Sequence, residues 1–370
     1  MTIGIVASRP KTFNKLNQQI CKHLLRFYIY TLLNLFNQLG FRVTVWTNFN
    51  LSFDNLQSFN NSICPSYEAT LNQWILSTQP QIIIIFNPSS PLLTWLATKN
   101  LKVILLFIPI LQEDITDIEL NADVCNHIIT YDNYAARILK EMNNEISLKN
   151  IKILPWHHFL PICIDEAPEK GEKFSIFIYI DPILAHDVEL YNFFSKLKKE
   201  LKNLRNVWFD IAFSSDLHPK LVSILNDLSD TGKGYVDNSF YPITEINYYQ
   251  LALFDLAIYP LNNIPDMGTT VFLYQTASLP TLTFTHPSIT SQLIENNKTG
   301  FLVKSDLETI NYGFAKVIAN YDALIEKMLE IIANQDKTLN GMKETINKTF
   351  NKRADEARLQ WRNYLIEVLQ

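Results

Sequence analysis

Leu256-Ala257-Ile258-Tyr259-Pro260 opens the stretch that decides the fold. It continues through Pro265-Asp266-Met267-Gly268-Thr269-Thr270 and Phe272-Leu273-Tyr274-Gln275-Thr276-Ala277. Leu279-Pro280-Thr281-Leu282-Thr283-Phe284 follows, then Ile294-Glu295-Asn296-Asn297, and finally Thr299-Gly300-Phe301-Leu302-Val303. The short apolar runs predict strands buried on both faces, and the segments between them have room for helical crossovers. Parallel strands joined in this way are the economical solution. One predicted helix opens at Gly268-Thr269-Thr270, where exposed amides and hydroxyls suit a diphosphate. The same threonines also read as ordinary helix caps.

Working outward, the same alternation fills the second half of the chain. Strands are predicted at Phe174-Ser175-Ile176-Phe177-Ile178-Tyr179-Ile180, at Val207 to Phe213 and, briefly, at Tyr235-Val236. The remainder beyond Val303 is predicted as long helices. The first half repeats the pattern around Ile3 to Ala7, Phe41 to Trp46, Ile82 to Phe86, Val103 to Phe107, His127 to Thr130 and Ile151 to Leu154. A long amphipathic stripe through Phe27, Leu32, Leu35 and Phe36 ends at Gly40, the expected residue just past a helix. Between the halves, Pro161, Asp165, Glu166, Pro168, Glu169, Gly171 and Glu172 form a polar connector. The predicted organisation is therefore residues 1–163 as an N-terminal domain, 164–173 as a linker and 174–335 as a C-terminal domain. Residues 336–370 form a terminal helix returning toward the first domain. The fold class is α/β: two Rossmann-like, doubly wound parallel-sheet domains facing a cleft, with C-terminal helices.

Composition narrows the function. The chain has 370 residues, enough for two domains. Its net charge of −5 speaks against a nucleic-acid binder, which usually presents a basic face. Cys21, Cys64, Cys125 and Cys163 are scattered without metal spacing and read as reduced thiols. The N-terminus runs directly into a strand, so no signal peptide is expected. The greasy region from Leu92 to Leu111 is interrupted by Lys99 and Lys102, and no transmembrane segment is expected. The chain is expected in the cytoplasm, with peripheral membrane contact left open. Only nine glycines occur, and neither a GxGxxG nor a Walker A motif is among them. His157-His158 are adjacent, so on an extended segment they point apart and make a poor metal pair.

The order of these pieces resembles the C-terminal domain of group 1 glycosyltransferases with the GT-B fold. Tyr259-Pro260, Gly268, Ser278-Leu279-Pro280-Thr281-Leu282 and Asn296-Asn297-Lys298-Thr299-Gly300-Phe301-Leu302-Val303 stand where that family has its motif residues. Tyr248 to Ala257 resembles the family's stretch beside the nucleotide base. The resemblance implies a nucleotide-sugar donor on the second domain and an acceptor on the first. That acceptor is a glycan, a lipid-linked sugar or a protein. It implies metal-independent transfer with no cofactor beyond the nucleotide sugar as co-substrate. Gly268, Thr269 and Thr270 would meet the diphosphate, and Tyr241 would stack on the base or ribose. His186 would supply the cation, Asp266 would orient the sugar hydroxyls, and Arg9 and Lys11 would face the acceptor. His186 and Asp266 are the candidate catalytic residues. The family's two donor-side glutamates fall at Pro265 and Leu273, neither of them acidic. An alternative follows from that departure: a catalytically inactive GT-B-like partner or chaperone of another glycosyltransferase. The layout leaves room for a protein partner or a homo-oligomer.

Overall fold

The computed structural model describes residues 1–7, 15–47, 70–86, 92, 95–96, 98–99, 101–107, 127–142, 151–155, 172–182, 184–213, 216–240, 251–261, 268–287, 292–310 and 313–370. By contact the chain falls into two units. One is Met1–Leu160 with Ala354–Gln370, and the other is Pro161–Arg353.

The first unit is built on a parallel sheet of β1 (Thr2–Ala7), β2 (Arg42–Thr47), β3 (Ile82–Phe86), β4 (Lys102–Leu106), β5 (His127–Thr130) and β6 (Ile151–Ile153). The strand order is β2-β1-β3-β4-β5-β6, every pairing is parallel, and the order reverses between β1 and β3. The β3 sequence Ile82-Ile83-Ile84-Ile85-Phe86 is buried along its whole length, as a strand covered on both faces must be. The helix Lys15–Gln38 crosses from β1 to β2 and buries Phe27, Leu32, Leu35 and Phe36. Gly40 follows it at φ +79°, a left-handed stop that only glycine adopts cheaply. The C-terminal helix Met342–Leu369 completes this unit with its residues from Ala354 onward. Its Trp361 is fully buried, packs edge-on to Phe36 at 5.5 Å between ring centroids, and donates its indole N–H to the Pro155 carbonyl at 2.7 Å.

The second unit has a parallel sheet of β7 (Phe174–Ile180), β8 (Val207–Phe213), β9 (Gly234–Phe240), β10 (Leu256–Tyr259), β11 (Thr281–Phe284) and β12 (Gly300–Val303). Its order is β12-β11-β10-β7-β8-β9, so the chain reverses direction across the sheet between β7 and β10. The helices Leu190–Leu201 and Pro219–Ser229 connect the β7–β8–β9 side, and the helix Thr269–Thr276 connects β10 to β11. All eight residues of that last helix are buried. Phe272 packs on Phe350 at 5.3 Å, and Gln275 donates to the Thr299 carbonyl at 3.0 Å. Gly300 allows β12 to approach β11, because a Cβ there would lie 2.5 Å from the Thr281 carbonyl oxygen. The first turns of Met342–Leu369 belong to this unit. Lys343 there donates to the Ala252 and Phe254 carbonyls.

The region beyond Val303 corrects one sequence expectation. It begins with an antiparallel hairpin, β13 (Asp306–Thr309) with β14 (Ala315–Ile318), before the helices Tyr321–Ala333, Gln335–Leu339 and Met342–Leu369. The physical reason is visible in the burial. Ala315 and Val317 alternate with the outward Lys316 and Ile318, which is a period of two and not of 3.6. His286 ties this hairpin to the sheet, its Nε2 lying 3.0 Å from the Ala315 carbonyl, which can only accept.

Burial holds the His286 imidazole below its ordinary pKa of 6.5, against the partial support of the Ala315 carbonyl. The neutral form is therefore favoured in the folded state. The associated stability is complete above pH 6.5 and is lost as pH falls through that value toward the lower folded-state pKa. Chemical denaturation at pH 7.5 and at pH 5.5 should show the protein weaker at the lower pH. His286→Gln should shrink that difference. An unchanged pH dependence in the variant would contradict the assignment.

Candidate functional site

In an open α/β sheet the crevice lies at the carboxyl ends of the strands, where the strand order reverses. In the second unit that place is the end of β7 beside the end of β10. The pairing of β10 with β7 runs through Ile258 and Ile178. Beyond it, side chains take over the hydrogen bonding. The Tyr179 amide donates to the Tyr274 hydroxyl at 2.9 Å. Burial raises the Tyr274 pKa far above that of an ordinary phenol, so this hydroxyl stays neutral.

Asp181 follows β7 directly and is fully buried. A carboxylate in such a place is costly unless donors surround it. Three do. The Tyr259 hydroxyl donates to Oδ2 at 2.8 Å, the Thr270 hydroxyl donates to the same oxygen at 2.9 Å, and the Leu184 amide donates to Oδ1 at 3.0 Å. The Asp181 carbonyl also accepts from the Ala185 amide at 2.9 Å. These bonds tie the start of the 3-10 turn Leu184–His186, which the Asp187 amide closes onto the Leu184 carbonyl at 3.0 Å, and the start of the helix Thr269–Thr276 to the end of β7.

Gly268 begins that helix at φ +68°, and its carbonyl accepts the Phe272 amide at 2.7 Å. Glycine has no side chain, so no side-chain hydrogen bond caps the helix. The two threonines differ in the way that matters. The single hydroxyl proton of Thr270 goes to Asp181, so this hydroxyl cannot also donate to a ligand. Thr269 is just as buried, yet its hydroxyl has no hydrogen-bond partner among the described residues.

The sequence-derived site residues divide accordingly. Gly268, Thr269 and Thr270 stand together at the helix start, and His186 closes the adjoining 3-10 turn. Arg9, Lys11, Tyr241 and Asp266 lie outside the described residues. Leu273, at the position where the resemblance placed an acid, is a fully buried apolar side chain in the middle of the helix. Sequence reasoning missed Asp181 as a binding centre. Its signal was an acidic residue directly after the apolar run Phe174 to Ile180, where a carboxylate needs partners if the strand is buried. Among the described residues no group of three or more His, Cys, Asp or Glu could hold a metal ion, and no helix is long and apolar enough to cross a membrane.

The comparisons with known proteins bear on this geometry. No protein-family model matches the chain, and no curated protein matches it in sequence. Solved structures do match. A glycosyltransferase from Rickettsia africae ESF-5 aligns over 100% of this chain and 98% of its own, with a TM-score of 0.68 and 15% identity. The fold is that of the GT-B glycosyltransferases. Anabaena Alr3699/HepE in complex with UDP aligns over 99% of this chain and 100% of its own, with a TM-score of 0.64 and 11% identity. The pneumococcal O-GlcNAc transferase GtfA, in complex with UDP and GlcNAc, aligns over 81% of this chain and 60% of its own, with a TM-score of 0.59 and 14% identity.

The unequal threonines give opposite expectations for two isosteric substitutions. Thr269→Val removes a buried, unpartnered hydroxyl and should leave the ligand-free protein as stable as before or more so, by up to about 1–3 kcal/mol. Thr270→Val takes a donor from the buried Asp181 carboxylate and should cost about 1–3 kcal/mol. Equilibrium denaturation in urea reads both. Equal losses would show that the two hydroxyls are equivalent.

Proposed function

We propose that the chain transfers a sugar from a nucleotide-sugar donor to an acceptor oxygen, and that the donor diphosphate sits at the start of the helix Thr269–Thr276. The observation that carries this reading is the buried Thr269 hydroxyl at the start of the helix, which has no hydrogen-bond partner among the described residues. Backbone amides at a helix start hold partial positive charge and suit a phosphate. Thr269 adds the one hydroxyl proton there not already bound to Asp181. The fold supports the reading further, because its structural neighbour HepE is known in complexes with UDP and with UDP-glucose.

In the reaction, the bond between the sugar's anomeric carbon and the diphosphate oxygen breaks. A bond from that carbon to the acceptor oxygen forms, and the acceptor proton leaves to a base. Negative charge grows on the departing nucleoside diphosphate. Fixed amide dipoles aimed at that charge stabilise it without reorganising. His186, at the end of the neighbouring 3-10 turn, is assigned the cationic role toward the diphosphate, and Asp266 the role of orienting the sugar hydroxyls. Tyr241 is assigned to the base or ribose, and Arg9 and Lys11 to the acceptor. Transfer on this scheme requires no metal. The acceptor class remains a glycan, a lipid-linked sugar or a protein.

A second reading rests on Leu273. Its apolar, buried side chain cannot bind a ribose hydroxyl as the family's glutamate does. The fold would then serve as an inactive partner of another glycosyltransferase. Donor turnover by the isolated chain would exclude this reading.

Thermal denaturation with UDP, ADP, GDP and a panel of nucleotide sugars separates the two. The transferase reading expects at least one nucleotide series to raise the midpoint, and Thr269→Val to diminish that rise. A flat response to every nucleotide would count against a donor site at Gly268.

A further inference from the structure

We propose that Asp181 is a positioning residue that joins two walls of the anion site into one rigid cradle, acting through Thr270 and Leu184 without touching the ligand. The inference rests on the donor-site reading above and adds to it the part that fixes its geometry. Asp181 has no exposed surface, so a ligand has no access to the carboxylate. Its contact with the surrounding elements runs through the groups bonded to it. Oδ2 holds Thr270 at 2.9 Å, and with it the first turn of the helix whose amides face the proposed phosphate. Oδ1 holds the Leu184 amide at 3.0 Å, and the Asp181 carbonyl holds the Ala185 amide. Those two bonds shape the turn that ends at His186. Ala185 in turn accepts the His218 amide at 2.8 Å, which ties the turn to the start of the helix Pro219–Ser229. Tyr259, from the end of β10, donates to Oδ2 at 2.8 Å and anchors the carboxylate to the sheet.

The arrangement has a chemical logic. A buried negative charge placed directly in a diphosphate site would repel the ligand. Here three donors compensate the carboxylate from the sheet, the helix and the turn. Two of them belong to the elements that would flank the phosphate. A single side chain thereby sets the spacing between the helix amides and the His186 turn. Asparagine at this position has nearly the same shape, but its amide turns an N–H₂ donor toward one side of that donor set. The three-way junction cannot then be satisfied as it stands.

The test compares wild type, Asp181→Asn, Thr270→Val and the double variant. Affinities for UDP and for uridine are measured on each by calorimetry. A positioning role expects Asp181→Asn to weaken UDP by about tenfold or more, with uridine affected much less, since only UDP carries the diphosphate. It also expects the double variant to lose less than the two single losses multiplied together, because both act through one bond. A purely structural role would lower the denaturation midpoint and leave the ratio of UDP to uridine affinity unchanged, and that result would overturn the proposal. Amide hydrogen exchange on the ligand-free proteins gives an independent reading. Asp181→Asn should accelerate exchange at Thr269 to Phe272 and at Leu184 to His186 more than in β8. Uniform acceleration, or none, would also overturn it. Should wild type bind neither UDP, ADP nor GDP, the donor-site reading fails, and the exchange pattern still decides whether Asp181 couples the two elements. If Asp181→Asn does not fold, Thr270→Val carries both measurements.

Discussion

A parallel sheet that divides leaves backbone amides and carbonyls without a neighbouring strand, and something else must bond them. In the second unit this constraint falls on the end of β7, where the ladder to β10 stops at Ile178. Tyr274 takes the next amide, and Asp181 gathers Tyr259, Thr270 and Leu184 around one buried carboxylate. The turn that carries His186 and the helix that carries Thr269 both hang from that junction.

The helix from Thr269 to Thr276 shows why the place is stiff. It is not an amphipathic helix lying on a surface. Every residue is buried, with Phe272 against Phe350 and Gln275 bonded into the turn before β12. Gly268, in a left-handed conformation, sets its first residue. The Thr269 hydroxyl is one of the buried polar groups with no hydrogen-bond partner among the described residues. Folding rules are often broken where a protein binds something, and this hydroxyl sits in the first turn of a helix.

Much of this was legible in the sequence, for physical reasons that also mark its limits. Continuous apolar runs such as Ile82 to Phe86 and Phe174 to Ile180 report strands buried on both faces, and they placed the parallel sheets. Gly40 and Gly268 marked a helix end and a helix start. The hairpin after Val303 was read as helix because its strands are only four residues each, too short for their alternation to stand out. Asp181 was passed over because its importance is not local. Its partners lie at Tyr259 and Thr270, 78 and 89 residues away in the chain. For the same reason the sequence could not separate Thr269 from Thr270. The two are neighbours of identical chemistry, and only the carboxylate arriving from β7 makes one a structural donor while the other has no partner among the described residues.

The most direct measurement is a crystal structure of the full chain soaked with a nucleoside diphosphate, UDP first. The account predicts a phosphate oxygen within about 3 Å of the Thr269 hydroxyl and of the amides at the helix start, with Thr270 still bonded to Asp181. A nucleotide bound elsewhere on the chain, or a Thr270 hydroxyl turned from Asp181 toward the phosphate, would contradict it.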